Sequence, residues 1–218
     1  MTELAIFDLD YTITRQGTWG RFIKKMMNGR PFEVPGLLVS AAFMQLQYVM
    51  GRVPRVCVKQ AMLRRSIMGM NRNTLEEAAD EFVRVDLEKG LNQDVIDALN
   101  EHLATGHTVL IASAGVDLLV DRYTKALGAH GSVSTKMSWL EDNCLTDQFA
   151  NENCYGPEKM QQVEDWLKSR SFNPTRVVVY SDCASDAPLL EFADKAVMVR
   201  PGRKCRKYAQ QKGFEIWS

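Results

Sequence analysis

Two hydrophobic periods alternate along this chain. Leu4-Ala-Ile-Phe7 is a short unbroken apolar run that stops at Asp8, as a strand buried on both faces of a parallel sheet does. Residues 108–112 repeat the pattern and stop at Ser113, and residues 177–180 stop at Ser181-Asp182, with a further run at 196–199. Between these runs the period is helical. Residues 92–105 carry Val95, Ile96, Leu99 and Leu103 on one face before Gly106. Residues 116–127 end at Gly128, and Pro157 opens a third helix through Met160, Val163, Trp166 and Leu167. Strands alternating with helices predict an α/β protein with a parallel sheet.

Residues 18–88 break this rhythm. They hold no strand-like run, are punctuated by Pro31, Pro35 and Pro54, and are expected to be wholly helical, with Asn73 and Glu76 forming a capping box for the last helix. The expected organisation is a core of 1–14 with 89–218, and a helical cap of 15–88 inserted after the first strand. Within the cap, the eighteen residues 34–51 contain no charge. A membrane span needs about twenty apolar residues and seldom carries two Gln, so spanning is rejected. A cap this small is not expected to cover so broad an apolar helix. Leu37, Leu38, Phe43 and Met44 are therefore expected to face an interface.

Composition narrows the classes. The chain has 218 residues, is 45% apolar and 25% charged, and has only 14 Gly and 7 Pro, which excludes a disordered or fibrous protein. Five scattered cysteines without a CxxC, and three His (His102, His107, His130) not paired at ligand spacing, argue against a disulfide framework or a zinc site. A reducing compartment is the expectation. Net charge is zero, but residues 11–73 hold eleven basic residues against one acid, Glu33, a local +10. The start Met-Thr-Glu-Leu-Ala lacks a charged segment before an apolar run, so no signal peptide is expected.

Polar residues directly after successive parallel strands converge at one edge of the sheet, where such folds bind ligands. That edge receives Asp8 and Asp10, then Ser113, then Asp182 and Asp186, with Lys159 entering from a helix start. Four carboxylates in one crevice repel unless a cation sits among them, and Mg2+ with its oxygen ligands suits the role. Ser113, the backbone N–H groups of Ala114 and Gly115 at an expected helix start, and Lys159 supply what a phosphate needs. The set points to metal-assisted phosphoryl transfer. Singly, each residue has a plainer role as a cap, a turn or a solvated helix position. Cys183 is expected to be a small buried filler, and the histidines to be surface or packing residues.

Phe7-Asp8-Leu9-Asp10-Tyr11-Thr12 resembles the DxDxT motif of the haloacid dehalogenase phosphatases. Ser113, Lys159 and Ser181-Asp-Cys-Ala-Ser-Asp186 resemble that superfamily's second, third and fourth motifs, in order. The helical block after the first motif is similar to the C1 cap of the subgroup that includes phosphoserine phosphatase. The resemblance implies a Rossmann-like, doubly wound parallel sheet and an aspartyl-phosphate mechanism. By it, Asp8 is the nucleophile and Asp10 the acid and base. Mg2+ is held by Asp8, the Asp10 carbonyl and Asp182, with Asp186 behind. Ser113, Ala114, Gly115 and Lys159 hold phosphate, and Thr12 orients the loop at the phosphate.

Two departures bear on the substrate. Tyr11 replaces a usual Gly, and no acid lies between Tyr11 and Phe32 to pair with a substrate ammonium, which argues against phosphoserine. A basic, apolar cap also resembles, by layout, the haloacid-dehalogenase-type phosphatidylglycerophosphatases. The expected substrate is thus an anionic lipid phosphate, with peripheral contact at the inner, anionic face of a membrane and a cytoplasmic location. A soluble small-molecule phosphatase is the alternative, and a non-catalytic phosphate-binding regulator the remote one. Nucleic acid is not an expected partner.

Overall fold

The computed structural model describes residues 3–218. Residues 1 and 2, part of the expected core segment 1–14, lie outside the described residues. The first apolar run is strand β1 (Glu3–Phe7), buried throughout. The inserted helices follow: α1 (Thr18–Met26), α2 (Val34–Val49), α3 (Val56–Arg64) and α4 (Arg72–Lys89). The core then runs α5 (Gln93–Ala104), β2 (Thr108–Val116), α6 (Asp117–Ala126) and β3 (Gly131–Thr135). A hairpin of β4 (Met137–Trp139) and β5 (Leu145–Phe149) precedes α7 (Pro157–Ser169) and β6 (Arg176–Ser181). A 3-10 turn (Ala184–Asp186), α8 (Ala187–Phe192), β7 (Lys195–Val199), α9 (Arg203–Lys212) and β8 (Glu215–Trp217) complete the chain.

Six strands form one parallel sheet in the order β3-β2-β1-β6-β7-β8. Successive side chains of β1 point to opposite faces. Ala5 and Phe7 join a core with Phe22, Leu75, Val95 and Leu119, while Leu4 and Ile6 join one with Val163, Leu189 and Leu190. This two-sided burial is why the strands read as unbroken apolar runs. The order reverses at β1, so a crevice opens beyond the strand ends where the chain departs to opposite sides.

The inserted helices divide in two. Phe22 and Ile23 of α1, with Leu75, Ala79, Phe82 and Val83 of α4, extend the larger core. Arg21 of α1 donates to the buried Asp86 of α4 (Nη2–Oδ2 2.8 Å), and the Tyr123 hydroxyl of α6 donates to the same carboxylate. Burial, with Asp86 beside it, drives the Tyr123 pKa upward, so the phenol keeps its proton. Helix α2, by contrast, packs against α3, and Leu37 is its one buried residue among those described. Phe32, Leu38, Val39, Phe43, Leu46 and Val49 are exposed, Phe32 by 96%. The expectation that the cap cannot cover this helix holds, but Leu37 faces inward and Met44 is half-buried. No helix among the described residues is long and apolar enough to cross a membrane.

Three local expectations need correction. The cap of α4 is Asn71, whose side chain accepts from the Asn73 N–H (2.9 Å), while Glu76 pairs with Arg72. The Asn73–Glu76 capping box is therefore not formed; the extended backbone needed at a cap falls two residues earlier. Strand β2 runs on past Ala112 to Val116. Finally, the β4–β5 hairpin was not legible, because its strands are three and five residues long and β5 is largely polar. The hairpin staples the insertion to the core: Gly69 N–H donates to Leu145 O (2.8 Å), Leu145 N–H to Met70 O (3.0 Å), and Arg64 pairs with Asp147 at 2.6 Å.

Candidate active site

The chain leaves β1 through a doubled-back loop. Asp8 N–H continues the sheet ladder to Tyr180 O (2.9 Å). Tyr11 then takes a left-handed conformation, φ 64°, which costs a residue with a Cβ on the order of 1 kcal/mol. Its ring lies over Gly17, where an added Cβ would stand 3.4 Å away. Thr14 Oγ1 donates to Leu9 O (3.1 Å), and Asn92 Nδ2 donates to Thr12 O (2.7 Å). The Asp10 carboxylate accepts from the Thr18 N–H at 2.8 Å. Thr14 and Asn92 thus hold the loop. The buried Thr12 hydroxyl, expected to help orient it, has no hydrogen-bond partner among the described residues.

Ser113 lies inside β2 and is buried. Ala114 and Gly115 are not at a helix start as expected, since α6 begins at Asp117 and both residues still belong to the strand. Gly115 N–H donates to Ser113 Oγ at 3.0 Å, and a Cβ at Gly115 would meet that oxygen at 3.2 Å. Lys159 sits in the first turn of α7, after Gly156 at φ 63°, ψ −129°. Only glycine adopts that backbone readily, and it turns the chain so that Lys159 enters the sheet edge. The Lys159 ammonium lies 2.9 Å from Asp8 Oδ1 and 2.7 Å from Asp186 Oδ2, and Ser181 Oγ donates to Asp186 Oδ2 at 2.8 Å.

Asp8, Asp10, Ser113, Lys159, Asp182 and Asp186 line one cavity of about 280 Å³. A larger groove of about 600 Å³, by Phe172 and Phe192, holds no such charged set, so chemistry rather than size selects the site. Burial pushes the Asp8 carboxyl well up, against the pull of Lys159 and with Asp186 and Asp182 adding repulsion. Burial also raises Asp10, and with Asp186 it pushes Asp182 up to about 6. At Lys159 burial acts downward, but Asp186 and Asp8 outweigh it and keep the ammonium charged. The buried Asp186 Oδ1 has no hydrogen-bond partner among the described residues. Oxygen donors crowded beyond what one ammonium neutralises, with one orphaned, fit a divalent cation.

The structure also recruits residues that the sequence did not single out. Lys59 of α3, one of the basic residues of the 11–73 block, turns inward and donates to Ala114 O and Asn153 Oδ1; burial pulls its pKa down to about 8. The Arg55 guanidinium lies 4.3 Å from the Tyr155 ring centroid, and both residues line the cavity. Arg30 pairs with Glu33 and donates to Ser66 O. Of Arg30, Arg52, Arg55 and Lys59, which flank the uncharged residues 34–51, the side chain of Arg52 alone engages no partner among the described residues. Side-chain reach, which a charge count lacks, decided this. Cys183 is not a buried filler either: it lines the cavity, 3.9 Å from Cys205 Sγ.

Known proteins share this fold. A probable phosphatase of Mycobacterium tuberculosis is 26% identical over 98% of this chain and 74% of its own length. A Bordetella pertussis protein of unknown function superposes with a TM-score of 0.88 at 21% identity, over 100% of this chain and 99% of the other. A probable phosphoserine phosphatase of Vibrio cholerae does so with a TM-score of 0.71 at 16% identity, over 96% of this chain and 59% of the other. At those identities the structural likeness is one of fold. The family model described as haloacid dehalogenase-like hydrolase matches residues 5–191. The chain belongs to the haloacid dehalogenase-like hydrolases, and its parallel core sheet with an inserted helical cap has the fold of the phosphoserine phosphatase structure.

Proposed function

We propose that the protein is a Mg2+-dependent phosphomonoesterase that forms an aspartyl-phosphate on Asp8 and acts on a small, anionic phosphate ester. One observation carries this: Lys159 bridges Asp8 and Asp186 at a cavity also lined by Asp10, Ser113 and Asp182. Residues 15–88 act as the cap, and 1–14 with 89–218 as the core. An Asp8 oxygen attacks phosphorus, and the bond from phosphorus to the leaving oxygen breaks with its electron pair. Asp10, whose raised pKa favours the protonated form, gives its proton to that oxygen. In the second step Asp10 takes a proton from water, the water oxygen attacks phosphorus, and the Asp8–phosphorus bond breaks.

Ser113 accepts from Gly115 N–H, which leaves its own hydroxyl hydrogen for a phosphoryl oxygen. Lys159, the Ala114 N–H and Thr12 are further donors, and Gly115 contributes through Ser113. Asp8, the Asp10 carbonyl and Asp182 would hold Mg2+, with Asp186 positioned by Lys159 and Ser181. When bound, Mg2+ would neutralise phosphoryl charge. The cavity lining holds no acid beyond the four aspartates, while Arg55 and Tyr155 offer a cation and an aromatic face. A leaving group bearing an anionic group suits that lining, whereas an ammonium has no partner. A panel of phosphate esters assayed with and without magnesium tests the proposal. Hydrolysis of anionic esters only with magnesium is expected; turnover unaffected by chelation would refute it.

A second reading, a lipid phosphate reached from an anionic membrane surface, is favoured by the exposed apolar face of α2. It places the protein in the cytoplasm, in peripheral contact with the inner leaflet. Vesicles of anionic lipid should then retain the wild type and lose a Leu38→Ser, Phe43→Ser double variant of unchanged melting temperature. Absence of wild-type binding leaves only the soluble substrate.

A further inference from the structure

At the opposite end of β1 from Asp8 lies a second polar cluster. Five residues of strand at about 3.3 Å each put Glu3 roughly 16 Å from Asp8. Glu3 opens β1, His102 sits in the last turn of α5, and His107 follows the turn into β2. Gly106, at φ 78°, reverses the chain so that His107 N–H donates to His102 O at 2.9 Å. That turn brings together two histidines whose spacing in the sequence does not mark them as a pair. Their Nδ1 atoms are 3.0 Å apart, and each lies 3.3 Å from Glu3 Oε1.

We propose that Glu3, His102 and His107 form a second metal site, for a zinc-class transition ion, separate from the catalytic carboxylates. The three ligand atoms all lie within 4.8 Å of one another. Bonds of about 2.0 Å in tetrahedral geometry require ligand atoms about 3.3 Å apart, close to the edges of 3.0, 3.3 and 3.3 Å in this triangle. Two imidazole nitrogens and one carboxylate select zinc or cobalt over magnesium.

Surrounding groups orient the ligands. His102 Nε2 lies 3.1 Å from the Tyr180 hydroxyl; with Nε2–H donating there, the Nδ1 lone pair faces the triangle. Arg176 donates to Glu3 Oε2 at 3.2 Å and leaves Oε1 for the ion. With His102 Nε2–H donating to Tyr180, the 3.0 Å Nδ1–Nδ1 contact would take its hydrogen from Nδ1 of His107. Moving that proton to Nε2 of His107 frees both Nδ1 atoms, with no net proton released. The fourth position opens into a cavity of about 280 Å³ that Glu101, Thr105, Arg176 and Lys195 also line, leaving room for water or a small anion.

Cobalt titrated into the chelator-stripped protein, with magnesium in excess, tests this by visible absorption. One equivalent should give the intense bands of a tetrahedral site, reversed by zinc. His107→Ala and Glu3→Gln should each weaken binding at least tenfold, and two variants guard against one failing to fold. Asp182→Asn should leave the bands in place. No tetrahedral bands, bands kept in both His107→Ala and Glu3→Gln, or bands lost only in Asp182→Asn would each overturn the proposal.

Discussion

Asp10 Oδ1 accepts a 2.8 Å hydrogen bond from the backbone N–H of Thr18, the first residue of α1. Gly17, at the cap position of that helix, has no side chain to satisfy the exposed N–H groups, and Asp10 takes that role from eight residues upstream. The proposed proton donor is therefore tied to the first turn of the inserted block. The bond lowers the Asp10 pKa while burial raises it, and burial prevails.

Replacing Asp10 by Asn should reduce turnover of an unactivated ester by about 10²–10⁴-fold, because the leaving oxygen loses its proton donor. An ester with an acidic phenol as leaving group should suffer less. Asp8→Asn should abolish turnover of both, since an amide cannot form the acyl-phosphate. Equal losses for the two esters in Asp10→Asn would remove Asp10 from the donor role.

Asp182 titrates near 6 in the fold, raised by burial and by Asp186. Protons then compete with magnesium, so the half-saturating magnesium concentration should rise by up to tenfold per pH unit below about 6. Stability should follow the opposite sense in the metal-free protein. The unfolded carboxyl titrates near 3.9, so the fold binds the extra proton between about 4 and 6, and stability falls as pH rises through that window. Melts with and without magnesium at pH 5 and 7 check both signs.

Asp186→Ala leaves the buried Lys159 with Asp8 alone and strips Ser181 of its acceptor. Removing one partner from a buried pair costs about 3 kcal/mol or more. Urea unfolding should show that loss. Magnesium half-saturation should rise less than in Asp182→Ala, and a larger rise would make Asp186 a direct ligand.

Gly156→Ala forces a Cβ onto a backbone at φ 63°, ψ −129°, although the nearest atom, Ser185 O, is a comfortable 3.7 Å away. Conformation rather than crowding sets the penalty, about 1–3 kcal/mol. Because Lys159 is three residues on, activity should fall along with stability. A fully active, equally stable variant would show that the turn does not position the lysine.

The sequence by itself determined the four central buried strands, because a strand covered on both faces must be apolar at nearly every position, as Leu4 to Phe7 are. It also determined which polar residues stand at the sheet edge, since Asp8 and Asp182 directly follow strands β1 and β6, and Ser113 closes the apolar run of β2. The helical nature of the insertion followed from the absence of any comparable run. Local pattern carries no information on which way a long side chain turns. Lys59 and Arg55 look alike as surface cations until α3 packs beside β5, after which one is buried against Ala114 and the other lies over Tyr155. The pairing of His102 with His107 waited on the turn at Gly106, and that of Lys159 with Asp8 on a contact between residues 151 positions apart. Side-chain direction and long-range proximity are set by packing between elements, and only the tertiary structure supplies them.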